Sequence, residues 1–108
     1  MPPQISLNTL YEIKNNKDKI KYKTFDEIIS KCHDKIKHSA KQGVQSIFFE
    51  IPYIVIGKPL YNIEDSKKYI YNALIKNGLF VSVLKQPNDN IFYISWAPND
   101  INNRKLLK

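Results

Sequence analysis

Cys32, His33 and His38 are the residues best suited to chemistry in the first half of the chain. Thiolate and imidazole are ligands of tetrahedral zinc, and a Cys–His pair is the core of many nucleophilic sites. The spacing opposes both uses. Adjacent side chains on a helix diverge by about 100°. His33 and His38 are five residues apart, whereas helical side chains meet at i, i+3 or i, i+4. Cys32 also falls on an apolar stripe, where a cysteine behaves as a small buried hydrophobe. Among the ten carboxylates, Asp26, Glu27, Glu64 and Asp65 stand at expected helix starts and Asp89 in an expected turn. Glu50 lies inside an apolar run, so it is expected to face solvent or to pair with a lysine. Three glycines build no phosphate-cradling loop, and no Ser-His-Asp order carries a signature. The sequence predicts no catalytic residue, no metal site and no cofactor.

Charge is the stronger signal. The chain carries a net charge of +7, and of its 17 basic residues all but Arg104 are lysine. Five lysines, Lys14, Lys17, Lys19, Lys21 and Lys23, fall within ten residues and leave that segment at +4. Lys31 and Lys35 follow on the next helix. Such a surface suits polyanions. Lysine meets phosphate as a point charge, while arginine reads bases through a bidentate fork. Nucleic-acid binding through these seven lysines is therefore expected to follow the phosphate backbone and ignore sequence. The abundance of Lys, Ile, Asn and Tyr also matches AT-rich codons, so part of the charge reflects coding bias. For the face of the helix that carries Lys31 and Lys35, ordinary solvation with a Glu27–Lys31 pair is the simpler expectation.

The elements that would position these residues follow from pattern. Residues 1–23 form a polar, basic arm with one or two helical turns at Leu7, Leu10 and Tyr11, capped by Ser6, then an extended or loosely helical segment. Thr24-Phe25-Asp26-Glu27 reads as a capping box and starts a helix over 24–42. Phe25, Ile28, Ile29, Cys32, Ile36 and Ala40 make its apolar stripe, and Gly43 stops it. Residues 46–56 are rich in β-branched and aromatic types and read as a strand, placed at an edge or bent by Pro52. In Gly57-Lys58-Pro59-Leu60-Tyr61, Leu60 and Tyr61 are expected to insert beneath the next helix, which Asn62 caps and Asn77-Gly78 end. Residues 79–85 and 91–96 form a hairpin around Gln86–Asn90. The tail 98–108 reads as polar.

This order, α-β-α-β-β, predicts an α+β domain over 24–97. It has two layers, with a three-stranded, mostly antiparallel sheet covered by two helices. A winged helix-turn-helix is the alternative, although it needs two helices before the hairpin. The expected core is Ile28, Cys32, Ile36, Ile70 and Leu74. Tyr53, Phe80, Phe92 and Tyr93 alternate, so some aromatics must lie away from the helices, as a partner interface or a platform for bases.

Several motifs recur together: Cys32-His33, Pro52, Gly57-Lys58-Pro59-Leu60-Tyr61, Asn77-Gly78, Pro87-Asn88 and Ile94-Ser95-Trp96. In this combination the stretch 20–97 resembles a family of short uncharacterised proteins encoded by giant nucleocytoplasmic large DNA viruses, with Phe80 shifted by one position from that pattern. The resemblance implies a viral protein of the host cytoplasm, in a virus factory, or of the virion. No apolar run approaches the length of a membrane span, and the first residues lack the pattern of a secretory signal, so neither membrane insertion nor secretion is expected. Two function classes remain. One is a non-enzymatic module binding nucleic acid through its phosphates. The other is a structural or adaptor module that binds a protein partner or another copy of itself.

Overall fold

The structure, a computed structural model, describes the backbone of residues 4–106 and the side chains of 4–102; residues 1–3 and 107–108 of the expected arm and tail lie outside it. The elements are α1 (Leu7–Lys41), β1 (Ser46–Glu50), α2 (Ile63–Lys76), β2 (Phe80–Val83), β3 (Ile91–Ser95) and α3 (Pro98–Leu106). The strands form an antiparallel sheet in the order β1-β3-β2, so the fold is α+β as expected. A single helix separates β1 from β2, so the two-helix insertion of a winged helix-turn-helix is missing.

The largest departure from expectation is α1. It does not begin at Thr24 but at Leu7, and runs unbroken through 35 residues. Ser6 is its N-cap, accepting the Thr9 amide at 3.1 Å. The Thr24 hydroxyl donates back to the Ile20 carbonyl at 3.1 Å, a bond available only inside a helix. The Thr-x-x-Glu pattern is thus an interior one, and α1 passes residue 23 without a break. The cause is local. Residues 7–23 hold no glycine or proline, and their lysines are good helix formers. Gly43, at φ +83°, turns the chain beyond the C-cap Gln42.

β1 is shorter than expected, ending at Glu50, because Pro52 cannot donate to a ladder. It is an edge strand. Its Ile47, with Val81, Phe92 and Ile94, forms the buried side of the sheet. These pack against Ile28 and Cys32 of α1, Ile51, and Ile70 and Leu74 of α2. Ile36 only half-buries at the margin of this core. Asn62 caps α2, accepting the Glu64 and Asp65 amides at 2.8 and 3.3 Å. Lys67 on α2 bonds Asp89 at 2.8 Å and Glu64 at 3.3 Å, which ties the hairpin turn to the helix. The bond to Asp89 raises the Lys67 pKa, and Lys67 lowers that of Asp89.

The polar tail is helical over Pro98–Leu106. It forms α3, whose Asp100 accepts from Ser95 Oγ at 2.6 Å and from the Tyr93 hydroxyl at 3.1 Å. Those residues point to the side of the sheet opposite the core, so α3 reaches the far face. Phe48, Phe80 and Tyr93 cluster there, with ring centroids 5.4 and 6.2 Å apart across Tyr93.

Candidate functional site

Thr24 is the first buried residue of α1. Residues 7–23 form a helical stretch of about 25 Å that extends from the body, meeting α2 only at its base, where Tyr22 stacks on Tyr69 at 5.1 Å, in a molecule measuring 68 × 32 × 26 Å. Only Asp18 and Lys21 of this stretch are half-buried.

The helix sorts the expected lysines into two sets. Leu10, Ile13, Lys14, Lys17, Ile20 and Lys21 follow one another at 3–4-residue steps and share a side. Lys19 and Lys23 fall on the opposite side, among Glu12 and Asp26. Lys21 is engaged by Asp18 at 3.9 Å and Asp65 at 3.7 Å, and its ammonium lies 5.1 Å from the Tyr22 ring centroid. Lys35 donates to the Phe48 carbonyl at 2.6 Å and so occupies an edge of β1. Lys31 lines a shallow depression with Glu27, Glu50 and Val55. Lys14, Lys17, Lys19, Lys23 and Lys31 have no ion-pair partner among the described residues. The seven lysines are not one surface: Lys14, Lys17 and Lys21 come together, and the others disperse.

Beside that trio lies a groove. Its walls are Lys17, Asp18, Ile20, Lys21 and Thr24 from α1, and Pro59, Leu60, Tyr61 and Asn62 from the segment entering α2, enclosing about 470 Å³. Leu60 is 83% exposed, against the expectation that it inserts beneath α2. Tyr61 takes that place instead. Its ring meets Phe25 edge-on at 5.4 Å, and its hydroxyl donates to the Pro52 carbonyl. The segment is anchored further by the buried Ile51 and by a Lys58–Glu27 pair at 3.1 Å. Gly57, at φ +83°, makes the turn that precedes Pro59 and Leu60. Ile56, at 95% exposure, stands on the same segment.

The Cys-His residues do not converge. Cys32 is fully buried and burial pushes its thiol up to about 11, only partly offset by Lys35. Its neighbour His33 meets Asn77 at 3.3 Å, while His38 meets Gln42 at 3.2 Å. The described residues hold no cluster of three or more metal-ligating side chains. No helix among them is long and apolar enough to cross a membrane. Sequence reasoning missed Ile20 and Leu60. Ile20, seven residues beyond Ile13, carries a helical signal; Leu60 comes to line the same groove only through folding.

A family model matches residues 5–75: DUF5759, a family of unknown function. The chain belongs to DUF5759. The match begins two residues before α1 and continues into α2, so this DUF5759 unit includes the projecting half of the helix and both walls of the groove. It ends before the hairpin. No curated protein and no solved structure matches the chain.

Proposed function

We propose that this protein is a non-enzymatic docking module, an adaptor or structural component, that recognises an acidic partner protein with the projecting half of α1. One observation carries the reading. Leu10, Ile13 and Ile20, each close to half exposed, alternate along one helical side with Lys14, Lys17 and Lys21. Apolar side chains left in water retain a drive toward burial of roughly 25 cal/mol per Å², and the lysines between them select a negative partner. The family match supports treating this half as part of the shared unit rather than an appended arm.

The lysine density favours a second reading, phosphate-directed nucleic-acid binding. The net +4 across Lys14–Lys23 would neutralise roughly four to six phosphates, giving a slope of log affinity against log salt near −4 to −5 on duplex DNA. A viral setting, in a virus factory or virion, belongs to both readings as an expectation from the family resemblance.

The apolar residues separate the two. Binding of a defined acidic amphipathic peptide and of a short DNA duplex is measured by anisotropy on the same variants. For the docking module, Leu10→Ser with Ile13→Ser weakens the peptide as much as Lys14→Gln with Lys17→Gln does. For a phosphate binder, the serine pair leaves duplex affinity unchanged. Replacing Lys17, Lys19 and Lys21 by glutamine then flattens the salt slope by about 3 units. Peptide affinity that responds to the lysine variants alone refutes the docking reading.

A further inference from the structure

The groove between α1 and the entry to α2 defines what kind of segment the module receives. Resting on the docking reading above, we propose that it seats an acidic amphipathic helix from the partner protein, with apolar side chains between Ile20 and Leu60 and carboxylates against Lys17 and Lys21.

Shape comes first. The cavity of about 470 Å³ has apolar walls in Ile20, Pro59 and Leu60, a volume within the roughly 300–1,000 Å³ range of ligand-binding clefts. Leu10, Ile13 and Lys14 extend the same side of α1 by about two turns beyond the groove. The receiving surface is therefore long and straight, as a helix requires, rather than a pit for one side chain. An amphipathic helix laid in a groove presents anchors at i, i+3, i+4 and i+7, which matches the spacing of the side that would receive it.

Charge selects the occupant. Lys14 and Lys17 are exposed and have no ion-pair partner among the described residues. Lys21 is held by two carboxylates at 3.7 and 3.9 Å, longer than direct hydrogen bonds, so an incoming carboxylate can compete for it. The only carboxylate lining the groove is Asp18. A second copy of this chain, docking by the same side, would bring lysine against lysine with too few acids to answer them. A phosphate backbone would satisfy the lysines but leave Ile13, Ile20 and Leu60 in water. The anchoring of Tyr61 and Lys58 already fixes the Leu60 wall, which lowers the ordering cost of binding.

The test uses the full chain and a fluorescent acidic peptide of about 18 residues, with leucines at i, i+3, i+4 and i+7 and glutamates between them. A scrambled peptide of the same composition, a short DNA duplex and phosphatidylserine vesicles are the comparison probes. The expected result is that scrambling weakens binding about tenfold, and that Ile20→Ser with Leu60→Ser, or Lys17→Glu alone, does the same. The altered side chains are exposed or half-exposed, and a thermal melt of each variant confirms that the fold is kept. If the serine pair has no effect while Leu10→Ser with Ile13→Ser weakens the peptide, the groove assignment is overturned and the docking reading stands. If scrambled and ordered peptides bind alike, charge alone is recognised and the helix-seating inference fails. If only the duplex or the vesicles bind, both the inference and the docking reading fail.

Discussion

The two halves of α1 obey one periodicity and meet opposite fates. From Thr24 to Lys41, the stripe is sealed: Ile28 and Cys32 by the sheet and α2, and Phe25 by the rings of Tyr61 and Tyr69. From Leu7 to Lys23, Leu10, Ile13 and Ile20, at steps of three and seven residues, keep a helical spacing in solvent. A helical stripe therefore states which side chains share a side, not whether that side is core. What decides is reach: β1 and α2 cover the second half, whereas in the first only the last turns meet α2, through Tyr22 stacked on Tyr69 and Lys21 beside Asp65, and residues 7–17 stay exposed. Composition changes in step. Cysteine and isoleucine fill the covered stripe, whereas lysines interrupt the uncovered one, at positions where burial without an opposite charge would be costly.

The comparison breaks most sharply on stability. Ile70→Ala, in the core that seals the second half, is expected to cost about 2–5 kcal/mol in a denaturant melt. Leu10→Ala is expected to stay within about 0.5 kcal/mol. Equal costs would mean that the first half is core as well. Chemical accessibility is the next measure. Cys32 is buried and its thiol is shifted up to about 11, so a thiol reagent near pH 8 should label it on the order of 100-fold more slowly in the native protein than in denaturant. Rapid native labelling would show that the sealed half opens readily.

Capping distinguishes the continuous helix from one starting at Thr24. Asn62→Ala removes a true cap and should cost about 1 kcal/mol. Thr24→Ala removes only a back-bond to Ile20, so its cost should be clearly smaller, with helix content by circular dichroism unchanged. A larger loss at Thr24 than at Asn62 would restore the capping box. The smallest effect is electrostatic. Asp89 titrates below its ordinary 3.8 in the fold, so its pairing with Lys67 supports stability above about pH 4, and that support is lost as pH falls through the depressed value. Lys67 titrates above its ordinary 10.5, so its share is complete below that pH and lost as pH rises through the raised value. Asp89→Asn should remove the acid-side dependence, read as a flatter melting temperature between about pH 5 and pH 2. An unchanged profile would discount the tie between hairpin and α2.

Much of the fold was legible because its signals are local. Asn62 caps its helix, Pro52 limits an edge strand, and the turn around Pro87 joins two antiparallel strands. Ile28, Cys32, Ile70 and Leu74 repeat at helical spacing and are buried. The start of α1 was not legible, because Thr-x-x-Glu fits both a cap and a helix interior; the choice depends on whether the lysine-rich stretch before it is helical. α3 was missed because its anchor, Asp100 to Tyr93 and Ser95, is a contact across the sheet. In the candidate site, all seven lysines were named from sequence. Their division between two sides needed the longer helix, and the groove needed Ile20 and Leu60, 40 residues apart, to be brought together.

The central claim is that residues 7–23 form a helix left largely uncovered for a partner. Amide hydrogen exchange along α1, with and without the saturating acidic amphipathic peptide, tests it most directly. In the free protein, amides of 24–41 should exchange at least about tenfold more slowly than those of 7–23, whose first turns, 7–17, are exposed throughout and whose last turns meet only α2. With peptide bound, protection should rise across 7–23 and 59–62 and stay unchanged in 24–41. Protection of 7–23 equal to that of 24–41 in the free protein, or no change there when the peptide is bound, would contradict it.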